Sequence, residues 1–533
     1  MARDIELPLG KRKPLYRFFE ILPGFLSYFL IILLVVLSLL SPILGSIYVL
    51  ALIAVTLAKA IGIAVRTVQG FEVVKRAEKI NWAGRLADLE NPAENIEKAK
   101  KERGFDATQH VINLENLKKY PKPEEIYHAV IMVAYNEGLE TMIPSVEAVR
   151  DTDFDNKKII FVLGYEERGG EEMAQNAQKL KERFDGVFYD FILVKHPDGV
   201  KNEIKGKGPN LCCAAQELTR FIEKKKLNAE NIIVTSLDSD NRMSVGYLSY
   251  VAYEFIVHEN RQHLSYQPVS LFMNNIWEAA PPMRVIAVSN SFFNIINTMR
   301  PHLIRNFASH SQPFLALREM DFWSKRTIVE DGHQYWRSYF HFEGKYDVIS
   351  IKVPIYQDAV IEDTIWKTLK AQFVQLRRWD YGASDVAYVG VRLFDKKYRK
   401  CFVDLLPKFV RLIEGHVTLA IMAPIVAFGG WVPRILNFSS RNLATYNLPA
   451  TVSWTQFFAS MGLFITILLS LRMLPKRPAK YRREKTIAMV LQWILMPIIA
   501  IVYQSMAAFY AQTRLMFGNY MEKFDVTRKV VKK

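Results

Sequence analysis

Long apolar stretches without a single charged side chain lie near both ends of the chain. The first, Ile21–Ala58, has 38 residues and is interrupted by Pro42 and Gly45. A membrane-spanning helix needs about 20 apolar residues, so this stretch predicts two spanning helices, about 23–40 and 44–65. A cleaved signal peptide is disfavoured because a second apolar core follows directly on the first.

Three more uncharged stretches lie toward the C-terminus, at Gly415–Pro433, Asn442–Leu471 and Thr486–Thr513. Basic residues flank the first hairpin and crowd the segment 476–485, and the positive-inside rule places such segments in the cytoplasm. Five full spans would put the basic tail outside, against that rule. Either one block is re-entrant or interfacial, or the rule fails here. Pro497 is a point where the last helix could break.

Composition excludes several classes of protein. The chain has 533 residues and is rich in Phe and Tyr, which excludes a disordered protein. Three cysteines are too few for a disulfide framework. Lys and Arg total 70 against 54 Asp and Glu, a net charge of +16. Because the basic residues cluster beside the apolar stretches, we expect no nucleic-acid partner and instead expect contact with a lipid bilayer.

The middle of the chain has no apolar run long enough to span a membrane, so we expect a soluble domain there, on the cytoplasmic side of a cell (inner or plasma) membrane. Basic and apolar residues alternate before the third apolar stretch, which predicts an amphipathic helix on the inner leaflet. The predicted units are a membrane hairpin at 1–66, a charged helical linker at 67–125, the soluble domain at 126–390, the interface helix at 391–412, membrane helices at 413–513 and a basic tail at 514–533.

Apolar strand-like runs alternate with helical patterns in this domain. The runs are Ala129–Ala134, Lys157–Leu163, Val187–Val194 and Asn231–Leu237. This alternation predicts an α/β fold with a mainly parallel sheet, in which ligands bind beyond the carboxyl ends of the strands. Acidic residues stand at those predicted ends: Glu137, Glu166 or Glu167, Asp238 and Asp240.

Two of the polar motifs suit a diphosphate ligand. Asp238-Ser239-Asp240 puts two carboxylates at a strand end, where they could hold a divalent cation; an ordinary Asp-rich turn is the alternative. Lys207 lies in Gly206-Lys207-Gly208-Pro209-Asn210 before a helical pattern, where its charge and the helix start could bind phosphate. A plain loop with a solvated lysine explains that motif equally well.

Two further motifs suit proton transfer and sugar binding. Glu330-Asp331 follows the apolar pair Ile328-Val329, so a strand-like segment could deliver one carboxylate as a general base; a surface or capping pair is the alternative. Gln375, Arg378 and Trp379 share one face of a predicted helix at Thr364–Tyr381. Gln can hydrogen bond, Arg can bind phosphate and Trp can stack on a sugar, although Trp could equally belong to the core.

The order of these motifs resembles that of membrane-bound family 2 glycosyltransferases of the processive type, the relatives of cellulose, hyaluronan and chitin synthases. The resemblance covers about Ile126–Tyr381 and the flanking membrane segments. Q-x-x-R-W before an apolar stretch is its most specific part. The chain departs from the family at Tyr165-Glu166-Glu167-Arg168, where an Asp-Asp-Gly-Ser-like turn is usual, and at Ala308–Pro313, which lacks the Gly of the acceptor region.

The resemblance implies an inverting transferase whose cytoplasmic domain has the Rossmann-like glycosyltransferase A-type fold, combined with α-helical transmembrane segments. It assigns the base to Asp331 and the nucleotide diphosphate with Mg²⁺ or Mn²⁺ to Asp238 and Asp240. Lys207 and Arg378 would bind the donor, a nucleotide-diphosphate sugar and by expectation a UDP-sugar. Glu137 and Glu166 would lie beside the nucleoside. Gln375 and Trp379 would hold the acceptor.

Three functions remain open at this stage. The first is a polymerase that elongates a polysaccharide and exports it. The second is an enzyme that transfers one sugar to a membrane lipid carrier. The third is a non-catalytic membrane protein or transporter, which is disfavoured because the apolar stretches carry few ionisable residues. The acceptor is therefore a growing glycan in the first case and a lipid in the second.

Overall fold

A computed structural model describes residues 5–8, 10–117, 120–439 and 442–521. Its centre is one eight-stranded mixed sheet in the order β3-β2-β1-β4-β7-β6-β8-β5. The basic tail expected at 514–533 is described only as far as Met521. The strands are β1 (Tyr127–Ala134), β2 (Ile159–Glu166), β3 (Asp190–His196), β4 (Ile232–Asp238), β5 (Arg242–Met243), β6 (Leu264–Leu271), β7 (Ser311–Pro313) and β8 (Asp347–Tyr356).

Helices surround this sheet and extend away from it. The longest ones lie at the two ends of the chain. They are α1 (Pro14–Leu40), α2 (Pro42–Ala77), α3 (Trp82–Asp88), α4 (Pro92–Ala99), α5 (Ala107–Asn116), α6 (Leu139–Arg150), α7 (Gly170–Arg183), α8 (Lys207–Lys225), α9 (Tyr247–Val257), α10 (Pro281–Thr298), α11 (Phe314–Glu319), α12 (Glu330–His341), α13 (Ile365–Asp380), α14 (Asp385–Leu393), α15 (Phe402–Phe428), α16 (Val432–Leu436), α17 (Leu443–Met473), α18 (Glu484–Leu491), α19 (Met496–Ile499) and α20 (Met506–Met516).

The sheet has a parallel half and a mixed half. Strands β3, β2, β1 and β4 are all parallel, with β1 between β2 and β4. Strand β7 is antiparallel to β4 and β6, β8 is parallel to β6, and β5 is antiparallel to β8. Each of the four apolar runs identified in the sequence forms a strand of the parallel half. The α/β class is therefore confirmed, and the carboxyl ends of β1 to β4 share one edge.

Among the residues that the structure describes, four helical segments are long and apolar enough to cross a membrane: Pro14–Leu40, Pro42–Ala77, Lys396–Leu436 and Glu484–Met516. The first two are separated only by Ser41, at the break expected from Pro42. Helix α17 is a further long helix. The last segment stays helical through Pro497, but a 3₁₀ turn precedes that residue and a π-helical turn at Ala500–Ser505 follows it.

The segment 391–412 is not the single interface helix that the sequence suggested. Helix α14 ends at Leu393, and a 3₁₀ helix at Lys396–Cys401 leads into α15, which continues into the third apolar stretch. The break has a local cause, because the Asp395 side chain accepts a hydrogen bond from the Lys397 N–H and so caps a new helical start. The basic residues around it are exposed, as an interface segment requires.

The charged segment after α2 folds onto the sheet domain. Helices α3, α4 and α5 follow one another there, and the Trp82 ring stacks on Tyr250 of α9 with 3.4 Å between ring centroids. Trp82 is almost fully buried. The segment predicted as a linker is therefore packed against the domain through a large aromatic contact.

The N-terminal residues Ile5–Leu7 form a strap that is bound by the sheet domain. Ile5 and Leu7 are buried, and the Tyr388 hydroxyl donates a hydrogen bond of 2.7 Å to the Ile5 carbonyl. Glu6 accepts a hydrogen bond of 2.5 Å from the Ser324 hydroxyl and lies 3.4 Å from the Arg337 guanidinium. The strap thereby ties the start of the chain to residues around α12.

Candidate active site

Lys207 is the centre of an acidic cluster at the carboxyl edge of the sheet. Its Nζ lies 2.8 Å from Asp238 Oδ1, 3.0 Å from Asp331 Oδ1 and 3.7 Å from Glu330 Oε1. Burial alone would lower the pKa of Lys207, but the charges of these three carboxylates raise it above its ordinary value. The motifs K-G-P-N, D-x-D and E-D, far apart in sequence, therefore meet at one ammonium group.

The backbone around Lys207 explains why small residues flank it. A Cβ atom on Gly208 would lie 2.3 Å from the Ser324 carbonyl oxygen, so only glycine lets the start of α8 approach that loop. Asn210 donates hydrogen bonds from Nδ2 to the carbonyls of Ala134 and Gly164, at 3.4 and 3.2 Å. The motif therefore fixes the start of α8 against the ends of β1 and β2.

Glu330 and Asp331 do not lie in a strand. They form the first turn of α12, so the expectation that a strand-like segment delivers one of these carboxylates is wrong. The apolar pair before them misled that inference, because Val329 is followed by a helix start and the chain does not continue as a strand. Both carboxylates lie near Lys207, and they differ in burial: the Glu330 side chain is 3% exposed and that of Asp331 is 21% exposed. Asp331 is thus the more accessible of the two.

Burial also affects the protonation of Glu330. Desolvation, followed by the negative charge of Asp331, raises the pKa of Glu330 to about 8. Glu330 therefore keeps its proton to higher pH than an ordinary glutamate, and a carboxyl group that holds its proton cannot accept another. Asp331 remains the carboxylate that a ligand in the cleft can reach.

The D-x-D motif begins at the last residue of β4, Asp238. Asp238 is partly exposed and its Oδ1 faces Lys207, whereas Asp240 is buried and its Oδ2 accepts a hydrogen bond of 3.3 Å from the Asp358 N–H. Asn274 donates a hydrogen bond from Nδ2 to the Asp240 carbonyl at 3.1 Å. The side chains of the motif offer oxygen donors only, which fits Mg²⁺ or Mn²⁺ held by one or two carboxylates and completed by phosphate oxygens.

Glu137 and Glu166 lie at the ends of β1 and β2, as predicted, but both are engaged locally. Glu137 accepts hydrogen bonds from the N–H groups of Tyr135 and Asn136, at 2.7 and 3.1 Å. Glu166 accepts a hydrogen bond of 2.7 Å from Arg168 Nε, and burial raises its pKa. The Arg168 guanidinium lies over the Tyr135 ring, 4.6 Å from its centroid. Together they form one wall at the edge of the sheet.

Helix α13 carries the Q-x-x-R-W motif and begins at the predicted residue, with Thr364 as its N-cap. Gln375 is buried and its Oε1 accepts a hydrogen bond of 3.1 Å from Gln372. The charge of Arg378 acts to lower the pKa of Glu330, which places it on the side of the acidic cluster. Trp379 is 36% exposed, so it is not the core tryptophan of the alternative interpretation.

His310 is a residue near the site that the sequence did not single out. It is buried in the segment where the family has a glycine, and its Nδ1 donates a hydrogen bond of 2.8 Å to the Phe307 carbonyl. Burial lowers its pKa, and the charges of Asp331 and Lys207 both act on it. Its departure from the family pattern was the signal that could have identified it.

A second cluster of carboxylates lies away from the sheet edge. Within the described ranges, Asp88, Glu102 and His110 form the group of three side chains that could hold a metal ion. Lys98 Nζ lies 2.8 Å from Asp88 Oδ1, and Arg85 lies 3.3 Å from Glu102 Oε2. Because each carboxylate already has a cation, this cluster is an internal ion-pair network of the helical segment.

No family model matches the chain, and no curated protein matches it in sequence. Several solved glycosyltransferase structures are similar to it. The mannosyltransferase PcManGT from Pyrobaculum calidifontis, in complex with GDP-Man and Mn²⁺, is 12% identical over 77% of this chain and 98% of its own, with a TM-score of 0.40. S. aureus TarS 1–349 with UDP-GlcNAc is 13% identical over 74% and 93%, with a TM-score of 0.33.

GalNAc-T7 with UDP, GalNAc and Mn²⁺ is 12% identical over 55% of this chain and 58% of its own, with a TM-score of 0.33. All three structures have identities of 13% or less and TM-scores of 0.40 or less, which assign neither a fold type nor an activity to this chain. Function is therefore inferred from the side chains of the site.

Proposed function

We propose that the protein is a membrane-embedded inverting glycosyltransferase that uses a nucleotide-diphosphate sugar to elongate a polysaccharide and that couples elongation to export of the product. The observation that supports it most is the convergence of Asp238, Asp331 and Glu330 on Lys207 at the carboxyl edge of the sheet. Such an edge is where open α/β sheets bind their ligands.

The proposed base is Asp331. The acceptor hydroxyl must lose a proton as its oxygen attacks the anomeric carbon, and the bond between that carbon and the diphosphate breaks with inversion. Asp331 takes the proton because its side chain is the more exposed of the two, whereas Glu330 is buried and its raised pKa favours the form that already holds a proton. Lys207 Nζ lies 3.0 Å from Asp331 Oδ1, so the proposed base is in direct contact with the cation of the site.

The donor side of the proposed site consists of Asp238, Asp240, Lys207 and Arg378, with Glu137 and Glu166 beside the nucleoside. A UDP-sugar is the expected donor. Mg²⁺ or Mn²⁺ held by Asp238 and Asp240 supplies positive charge that lets a diphosphate approach two carboxylates. Lys207 and Arg378 add positive charge on the side where the leaving diphosphate becomes more negative.

The acceptor side of the proposed site is α13. Trp379 offers a partly exposed ring beside Phe272, with 6.0 Å between the ring centroids, and such a face suits the C–H surface of a sugar. We assign Gln375, one turn earlier on α13, to the acceptor as well, as a hydrogen-bonding group. We place the domain 126–390 on the cytoplasmic side of the plasma membrane, between the hairpin 1–66 and the helices 413–513, because basic residues flank those segments.

The test is transfer from radiolabelled nucleotide sugars by purified membranes that contain the full chain, followed by sizing of the product. A long glycan whose formation requires Asp331 is the expected result, with Asp331→Asn membranes as the control. A single sugar attached to lipid would show that the enzyme transfers once to a lipid carrier. Absence of transfer from every nucleotide sugar in the panel would contradict the proposed activity.

A further inference from the structure

Three arginines lie where apolar helices meet the sheet domain. Arg66 belongs to α2 and directly follows the apolar part of that helix. Arg411 belongs to α15 and lies four residues before the uncharged stretch that begins at Gly415. Arg300 follows the end of α10. All three therefore stand at the level where a bilayer would present its headgroups.

Contacts between the helices bring the three side chains together. A Cβ atom on Gly70 of α2 would lie 2.7 Å from the Ile295 carbonyl of α10, so these helices cross in close contact near Arg66 and Arg300. Helices α2 and α15 are joined by an ion pair between Lys59 and Glu414. Measured along the helices from that pair, Arg411 lies about 4.5 Å and Arg66 about 10.5 Å away, each toward the sheet domain.

Their charges are not balanced within the described parts of the chain. There, no carboxylate lies within 4.0 Å of the guanidinium of Arg66, Arg300 or Arg411, and Arg66 NH1 donates a hydrogen bond of 3.1 Å to the Gly62 carbonyl of its own helix. Burial, and then the charges of Arg66 and Arg411, lower the pKa of Arg300. Three like charges held close together repel one another, so the arrangement favours an anion between them.

The helices that carry or precede this arginine triad, Arg66, Arg300 and Arg411, also expose apolar side chains. Val65 on α2, Phe293 on α10 and Val410 on α15 all expose large parts of their side chains. An anion that carries a hydrocarbon chain would therefore bury apolar surface that water otherwise contacts. A free anion would gain nothing from these side chains.

We propose that the arginine triad binds the phosphate headgroup of a membrane lipid whose hydrocarbon chain lies along α2 and α15. Arginine suits this ligand because its planar guanidinium donates two parallel hydrogen bonds to phosphate oxygens. Basic pockets between helices on the cytoplasmic side of a membrane are typical places for such headgroups. The site does not depend on the proposed transfer reaction.

The test measures lipid binding by the full-length protein in detergent micelles doped with dioleoyl phosphatidic acid. Each juxtamembrane arginine attracts an anionic lipid, so Arg300→Gln with Arg411→Gln should weaken binding about 30-fold. The matched control is Lys101→Gln with Arg103→Gln, which removes the same number of charges from exposed residues between α4 and α5. This control should change the affinity less than about twofold.

Two further arms separate the lipid from other anions and from misfolding. Inorganic phosphate alone should neither bind with comparable affinity nor displace the lipid. The double variant Arg300→Lys with Arg411→Lys keeps the charge and should bind more tightly than the Gln variant but less tightly than the wild type. Equal losses in the Lys101→Gln/Arg103→Gln control and in the Arg300→Gln/Arg411→Gln variant, or phosphate binding as tightly as the lipid, would overturn the proposal.

Discussion

Two clusters in the molecule are built from similar acidic side chains and differ in how their charge is balanced. In the helical segment, Asp88 faces Lys98 and Glu102 faces Arg85, so each carboxylate has its own cation. At the sheet edge, the carboxyl groups of Asp238, Glu330 and Asp331 all lie around Lys207. Three carboxyl groups gathered around one shared ammonium group give the second cluster the capacity to bind a cation or take up a proton. The first cluster has already used that capacity in folding.

The largest effect that this comparison predicts follows from removing divalent cations. Exhaustive chelation should abolish transfer, because a diphosphate cannot approach Asp238 and Asp240 without a bridging cation, and added Mg²⁺ or Mn²⁺ should restore it. The melting temperature should not change, since the carboxylates of the Asp88 cluster are paired with Lys98 and Arg85. Transfer that survives chelation would show that Asp238 and Asp240 are ordinary turn residues and do not hold a cation.

The next largest effect is expected from substituting one aspartate in each of the two clusters and comparing the results. Asp331→Asn keeps the size of the side chain but cannot take a proton, so transfer should slow by about 10²–10⁴ while the nucleotide sugar still binds. Asp88→Asn is the matched control: it should lower the free energy of unfolding by about 1–3 kcal/mol and leave the turnover of the folded protein unchanged. Normal turnover by Asp331→Asn would show that Asp331 is not the general base.

A smaller effect is expected at the exposed ring of α13. Trp379→Ala should raise the acceptor concentration needed for half-maximal transfer more than that of the nucleotide sugar, because the ring offers a face for a sugar while Arg378 serves the diphosphate. Steady-state kinetics with each substrate varied in turn would measure this. A loss of nucleotide affinity with normal acceptor saturation would assign the ring to the donor instead.

The smallest effect concerns pH and stability. Since burial raises the pKa of Glu330 to about 8, between about pH 4.3 and 8 the folded protein holds a proton that the unfolded chain has released. The contribution of Glu330 to the free energy of unfolding therefore falls as pH rises through that window. Glu330→Gln has no such proton, so its melting temperature relative to the wild type should rise from pH 5 to 8 and then level off. A constant difference across this range would contradict the raised pKa.

The parallel half of the sheet and its acidic ends were predictable from sequence because both depend on short-range patterns. An apolar run followed by polar residues identifies β1, β2 and β4, and parallel strands bring Glu137, Glu166 and Asp238 to one edge. The helix that carries Q-x-x-R-W was predictable for the same reason, because its pattern is also short-range. Its N-cap, Thr364, is the residue at which the helical pattern starts.

The features of the candidate site that the sequence did not predict depend on contacts between distant parts of the chain. The ion pairs of Lys207 join residues up to 124 positions apart, and nothing in the local sequence specifies that pairing. The helix start at Glu330 was missed because two apolar residues before it look like a strand end. His310 was passed over because a buried histidine is only informative once its neighbours, Asp331 and Lys207, are known.

The N-terminal strap has a consequence for how the protein is made. The hydrogen bond between the Tyr388 hydroxyl and the Ile5 carbonyl joins residues 383 positions apart, and Glu6 meets Ser324 across 318 positions. At a synthesis rate of about 5–20 residues per second, Ile5 waits roughly 20–80 s for its partner to emerge from the ribosome. Docking of the strap is thus a late step of biogenesis, completed after the first two apolar helices have been available for membrane insertion.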